Sequence, residues 1–244
     1  MEEIIEGNTA TENQGKANPD LKDNGQDKKF TGYGGIEDPA MHVNAEYGAG
    51  WTESQKASLT GITGFLQATL EEGANNCTLA SITRVMKYYR DMGYTNIPSE
   101  IKDIYKRVRE IGVAHGYDPK KTGLFRDLFV YTPWEINNMA RDAWHAFGYP
   151  NGDADNDYFG KLRTIKSNID HSNPLLLNIS TGDYKGHTVS VIGYKVFARE
   201  DQGDKNYIEI YDGWSDIKRY IDWKKFKDTP LKANLTRFLP PSNK

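Results

Sequence analysis

The sequence predicts an α+β fold, a helical half followed by an antiparallel sheet, and three observations carry that prediction. Apolar residues recur at three- and four-residue steps between about residues 76 and 170. After Pro174 the pattern changes to short β-branched and aromatic runs. Those runs are separated by Gly/Asp turns and follow one another without the βα alternation of a parallel sheet.

Along the chain, residues 1–30 carry few large apolar side chains among Glu, Asn, Gly, Lys and Asp, too few to offset the entropy of ordering, so a flexible tail is expected there. One folded unit is expected over 31–244, mainly helical over 31–173 and mainly β over 174–244. Phe30-Thr-Gly-Tyr-Gly-Gly-Ile36 and Tyr47-Gly-Ala-Gly-Trp51 read as irregular loops pinned by aromatic anchors. A helix is predicted from about Asn76 to Asp91, with Leu79, Ile82, Val85, Met86 and Tyr89 on one face and Gly93 as its stop. A second follows Pro98-Ser99 and uses Ile101, Ile104, Tyr105, Val108 and Ile111. The third opens at Thr132-Pro133-Trp134-Glu135, a capping box with proline at the first helical position, and runs towards Gly148. The fourth spans about Asp157 to Asp170. Strands are predicted at 174–180, 187–197 and 207–211, with a further short one near 219–221 or 236–239.

Composition excludes several classes of function. The 244 residues carry 31 basic and 34 acidic side chains, a formal charge of −3, which does not suit binding nucleic acid by charge. The single cysteine precludes an internal disulfide and any cysteine-based zinc site, and the five histidines are scattered; no metal or other cofactor is expected. No apolar window approaches the length of about 18 residues needed for a membrane span. The opening Met-Glu-Glu-Ile-Ile-Glu-Gly lacks the basic end and apolar stretch of a secretory signal. Gly32, Gly34 and Gly35 fit no phosphate-loop spacing. Asn151-Gly-Asp-Ala-Asp-Asn-Asp157 alternates carboxylates as a calcium loop does, but Tyr158 and Thr164 stand where such a loop needs Gly and Glu. A solvated loop capping the fourth helix is the expectation there.

The lone Cys77 stands where a turn-rich segment becomes the first predicted helix. Unpaired N–H groups at a helix start favour thiolate over thiol, so a depressed pKa and rapid alkylation near neutral pH are expected. At about 100° per residue, Cys77 points roughly 140° away from the apolar stripe. A thiol nucleophile needs a base and the base an orienting group. Of the five histidines, His187 alone opens a strand-like apolar run directly after a glycine. Asp212, in Tyr211-Asp-Gly-Trp-Ser215, ends the next strand and would lie beside it across a hairpin. By composition alone, Asp212 also reads as a turn former before Gly213.

Asn76-Cys-Thr-Leu-Ala-Ser-Ile-Thr-Arg-Val-Met-Lys-Tyr-Tyr89, Gly186-His187-Thr-Val-Ser-Val-Ile-Gly-Tyr194 and Tyr211-Asp212-Gly-Trp214 together resemble the papain-like cysteine peptidases. The likeness is greatest to the bacterial C39-like group and more distant to streptopain-type enzymes, and it covers about 64–227. It implies a papain-like fold in which Cys77 is the nucleophile, His187 the base and later acid, and Asp212 the group that orients the imidazole. It also implies an oxyanion site made by the Cys77 backbone N–H and a side-chain amide ahead of it. The usual glutamine position six residues before the cysteine is Glu71 here; Gln67 is the expected donor, with Asn75 or Asn76 as substitutes.

The resulting expectation is a cysteine peptidase cleaving amide bonds of a peptide or protein. A thiol acyltransferase or amidase of the same fold is an alternative. So is a catalytically inactive papain-like binding module whose contact surface is the aromatic segment 30–51. Similar bacterial enzymes are often exported, which would put the protein outside the cell or at its surface if a signal peptide has been removed.

Overall fold

The computed structural model describes residues 32–72, 74–120, 133–158, 160–228 and 233–244. Within them lie six α-helices and a seven-stranded antiparallel sheet, so the chain is α+β. In chain order the elements are α1 (Pro39–Tyr47), β1 (Thr52–Ser58), α2 (Cys77–Asp91), α3 (Ile101–Ala114), α4 (Pro133–Ala146), β2 (Asp153–Asp157), α5 (Leu162–Asp170), β3 (Leu175–Ile179), β4 (His187–Arg199), β5 (Gln202–Tyr211), β6 (Arg219–Asp222), α6 (Trp223–Asp228) and β7 (Ala233–Leu239). The strands run in the order β2-β7-β3-β4-β5-β6.

β4 organises the sheet. Its first half pairs with β3, from Ile179 opposite His187 to Leu175 opposite Val191. Its second half pairs with β1, from Ser58 opposite Gly193 to Thr52 opposite Ala198, while β5 takes the other edge. β4 is paired on both edges and buried along most of its length, and His187-Thr-Val-Ser-Val-Ile-Gly-Tyr194 accordingly carries no Asp, Glu, Lys or Arg, with the polar Thr188 and Ser190 among its apolar residues.

α2 lies in the middle of the molecule. Leu79, Ile82, Val85, Met86 and Tyr89 pack into the main core with α3, α4 and the sheet. The opposite face is polar yet also buried, because it rests on β4: the Thr78 and Thr188 hydroxyls meet at 2.9 Å, Ser81 donates to the Thr188 carbonyl at 3.1 Å, and Arg84 donates to the Ser190 hydroxyl at 3.0 Å. These bonds satisfy groups whose burial would otherwise cost free energy.

Several expectations change. Residues 30–51 were expected as irregular loops, but 39–47 form α1, capped by Asp38, whose Oδ1 accepts from the N–H groups of Ala40 and Met41, with Pro39 at the first helical position. The aromatic anchors there are core residues: Tyr33 joins the main cluster, and Trp51 packs with Ile36, Val43, Phe197, Tyr207 and Tyr220 in a second one. Tyr33 and Trp51 are therefore buried, and Tyr47 is half-buried against the second cluster. β1, Thr-Glu-Ser-Gln-Lys-Ala-Ser, has no apolar alternation and is largely exposed; its only signature is the edge of β4 that it covers. The acidic run at 153–157 is an edge strand on β7 with Asp155 paired to Arg237, and α5 begins five residues later than expected. Asp157 still serves the start of that helix, accepting from the Thr164 hydroxyl at 2.6 Å and the Lys161 N–H at 3.3 Å. Both late strands, 219–222 and 233–239, are present. Phe30 and the Thr132 cap lie outside the described residues. No helix among the described residues is long and apolar enough to cross a membrane.

Candidate active site

Cys77 and His187 begin the two elements that pack against each other at the middle of the fold. Cys77 is the first residue of α2 and His187 the first of β4. Their successors, Thr78 and Thr188, are hydrogen-bonded to each other. α2 starts without a side-chain cap. Asn76, at the cap position, instead uses its amide to donate to the Gln67 carbonyl and the Tyr105 hydroxyl, both at 3.1 Å. The first N–H groups of the helix are therefore not covered by the residue that would ordinarily bond them.

The imidazole of His187 is fully buried, and its surroundings decide its tautomer. Nε2 lies 2.7 Å from the main-chain carbonyl of Asp212. A carbonyl only accepts, so Nε2 carries the proton and Nδ1 presents a lone pair. Nδ1 has no hydrogen-bond partner among the described residues. The ring is held flat by two neighbours: Trp214 stacks on it at 4.0 Å between centroids with an 18° tilt, and Tyr184 lies near-parallel at 5.9 Å.

The Asp212 side chain caps its own turn. Oδ1 accepts from the N–H groups of Trp214 at 2.9 Å and Ser215 at 3.1 Å, and the Tyr184 hydroxyl faces Oδ2 at 3.5 Å. Both readings of this residue from sequence thus have a counterpart: the carboxylate shapes the turn, while the contact to His187 comes from the same residue's backbone. Burial raises the Asp212 carboxyl above the usual range, opposed by the Ser215 and Trp214 N–H groups and by Arg219 and Arg84.

Gln67 lies at the same turn. Its N–H donates to the Gly213 carbonyl at 2.8 Å. Gly213 has φ +78°, and a Cβ there would stand 2.9 Å from Gln67 Oε1, so glycine admits both the turn and the glutamine. Asn75 Oδ1 is 3.9 Å from the Cys77 sulfur. Glu71 faces elsewhere: its carboxylate accepts from Tyr105 at 2.7 Å and Arg109 at 2.8 Å. The structure therefore gathers Cys77, His187, Asp212, Gln67 and Asn75, with Asn76 behind them as a brace.

The electrostatics differ from the expected thiolate. Cys77 is 1% exposed, and burial pushes its thiol above the ordinary value, against the Thr188 N–H and the hydroxyls of Thr78 and Tyr117, which favour thiolate. Desolvation outweighs the helix start here because it acts on the whole charge, whereas the helix end contributes about half a unit charge. Burial likewise pulls His187 down to about 3, assisted by the nearby Arg84 cation and opposed by the Asp212 carbonyl. The resting pair is thus neutral thiol and neutral imidazole from about pH 3 up to the raised thiol pKa. Alkylation of Cys77 by iodoacetamide should be slower at pH 7 than that of a free cysteine. Its rate should climb about tenfold per pH unit through the alkaline range without an earlier plateau. A plateau reached below pH 7 would show a preformed ion pair instead.

Sequence reasoning did not find Tyr184 or Arg84. Tyr184 sits in a turn with no periodic signal, and Arg84 looks like an ordinary polar position on an amphipathic helix. Trp214 was visible only as an aromatic residue near Asp212.

A comparison with protein families matches residues 53–229 to the Peptidase_C39 like family. That span runs from the second residue of β1 through α6 and takes in every residue of the site just described. Comparisons with curated proteins and with solved structures gave no match.

Proposed function

This chain belongs to the C39-like peptidase family, and on that premise we propose that it is a cysteine peptidase in which Cys77 attacks the carbonyl of a peptide bond and His187 moves the proton. The observation that carries the reading is the tautomer of His187: its proton is committed to the Asp212 carbonyl, which leaves the Nδ1 lone pair, buried and without a partner, on the ring beside the helix that starts at Cys77.

In this reading Nδ1 accepts the thiol proton as the sulfur forms its bond to the carbonyl carbon. Because both groups are neutral at rest, proton transfer accompanies attack and does not precede it. No hydrogen bond joins the sulfur to Nδ1 in the resting arrangement, and such contacts commonly tighten when substrate binds. The carbonyl oxygen, now negative, is met by the Cys77 N–H at the uncapped helix start and by the Gln67 side-chain amide. Collapse of the tetrahedral intermediate breaks the C–N bond, and the leaving amine takes the proton from Nδ1. Water, deprotonated by His187, then attacks the thioester, releases the carboxylic acid and returns the proton to sulfur. Trp214 and Tyr184 hold the imidazole plane, and the Asp212 backbone holds its tautomer; the Asp212 carboxylate shapes the turn that presents that backbone.

Incubation with a broad peptide and protein panel should release new amino termini, with the release blocked by prior alkylation of Cys77. Gln67→Ala should lower kcat about 10²- to 10³-fold, the usual cost of one oxyanion donor. A Gln67→Ala enzyme as fast as the parent would remove that residue from the mechanism. Binding of a panel protein without cleavage, unchanged by alkylation, would favour the binding-module reading, for which full burial of the thiol is the one supporting observation.

A further inference from the structure

Arg84 is 1% exposed, a guanidinium in the middle of the central helix, and its hydrogen bonds among the described residues go to neutral oxygens. Nε donates to the Thr63 carbonyl at 3.2 Å, Nη2 to the Phe65 carbonyl at 3.0 Å, and Nη1 to the Ser190 hydroxyl at 3.0 Å. The group lies 4.2 Å from the centre of the Phe65 ring and 5.3 Å from that of Tyr211. Its place on the helix is not arbitrary: seven residues is close to two turns, so Arg84 stands on the same face as Cys77. Ser190 is three residues after His187 on β4, and Phe65 is two before Gln67.

A buried cation bonded only to neutral groups is an expensive way to fill space, since an apolar residue of similar volume would avoid the desolvation. What the guanidinium does that an apolar side chain cannot is bond the backbone of 63–65, which has no strand partner among the described residues to set its position. The same segment is pressed against the Asp212 turn, where a Cβ on Gly64 would stand 2.1 Å from the Asp216 carbonyl oxygen. Arg84 is also drawn towards Asp212, whose charge partly offsets the burial that lowers the guanidinium to about 10.

We propose that Arg84 is a positioning residue: bound to the carbonyls of Thr63 and Phe65 and to Ser190, it holds the Gln67 segment in register with the Cys77 helix and the His187 strand. It acts through Gln67 and touches no substrate. The turnover part of its test rests on the peptidase reading; the remainder does not.

The test compares parent, Arg84→Lys and Arg84→Met in the full chain. Lysine keeps the charge but cannot span both carbonyls and Ser190, and methionine keeps an apolar stem that a buried site tolerates, so the two do not share a reason to misfold. In both variants kcat should fall about 10²-fold with KM within about threefold, the scale of a small displacement of a catalytic group. Alkylation of Cys77, which needs no oxyanion donor, should stay within about threefold of the parent at the same pH. The loss should largely vanish when Arg84→Lys is made in a Gln67→Ala background, because the two changes remove the same interaction. Amide hydrogen exchange over 63–69 should rise about tenfold or more while α2 and β4 stay protected, and this arm needs no turnover. Unchanged exchange at 63–69 would overturn the assignment whether or not the protein is a peptidase. So would additive losses with Gln67→Ala, or turnover and alkylation falling in parallel. A parent without thiol-dependent hydrolysis, but with the local exchange response, would instead fault the peptidase reading and leave the positioning role standing.

Discussion

Replacing Cys77 by alanine is expected to lower peptide hydrolysis by about 10⁴-fold or more while the protein stays folded. The chain has one thiol, so no second cysteine can substitute for it. The change removes one buried sulfur atom at a helix start, and the hydrogen bonds lost with it are the weak ones that a thiol makes, such as the 3.9 Å contact to Asn75 Oδ1. The helix should survive, since Thr78, Ser81 and Arg84 still fasten its inner face to β4. Product release measured by mass spectrometry, with circular dichroism to establish folding, checks both halves of the expectation. A Cys77→Ala protein that retains more than about a tenth of the parent rate would exclude thiol catalysis.

The largest expected effect on stability lies away from the site. Trp144→Ala should cost about 3–5 kcal/mol, the range for emptying a large aromatic site in a close-packed core. Trp144 is 0% exposed. Its ring centre is 4.8 Å from that of Tyr89 on α2, 5.2 Å from Tyr94 and 5.9 Å from Tyr149. Gly152 approaches so closely that a Cβ there would lie 2.6 Å from Trp144 Cγ. Tyr94 in turn donates to the Pro241 carbonyl at 2.8 Å, so the cluster ties α2 and α4 to the end of the chain. Several rigid rings cannot close over the space one indole leaves, which puts the cost towards the upper part of the range. Urea denaturation should show a lower midpoint with the slope retained. A loss below about 1 kcal/mol would mean that the cluster is far more plastic than its packing implies.

The elements readable in the sequence were those whose environment is one-sided or uniformly apolar. α2 and α3 follow their three- and four-residue apolar steps, and β3 and β4 follow their β-branched runs to within two residues, whereas β5 begins at Gln202, five residues before the run at 207–211, because its polar first half pairs with β4 without being buried. β1 was not readable because an exposed edge strand needs no apolar alternation; it exists because β4 offers it a row of backbone partners. The 153–157 strand was hidden for a related reason, as its carboxylates face Arg237 and the first turn of α5 and not a core. α1 did carry a local signal, Asp38 followed by Pro39, which the surrounding glycines and aromatics obscured.

The same division runs through the candidate site. By itself the sequence determined that a lone cysteine starts a helix off its apolar stripe, that a histidine opens a buried strand, and that an aspartate ends the next one, because helix starts and strand periods are local properties of a few residues. Only the tertiary structure decided that the Asp212 backbone and not its carboxylate meets His187, that the thiol is buried and its pKa raised, and that Gln67 is brought to the Gly213 turn. These depend on desolvation and on contacts between segments far apart in the chain, quantities set by what packs against a residue and not by its neighbours in sequence.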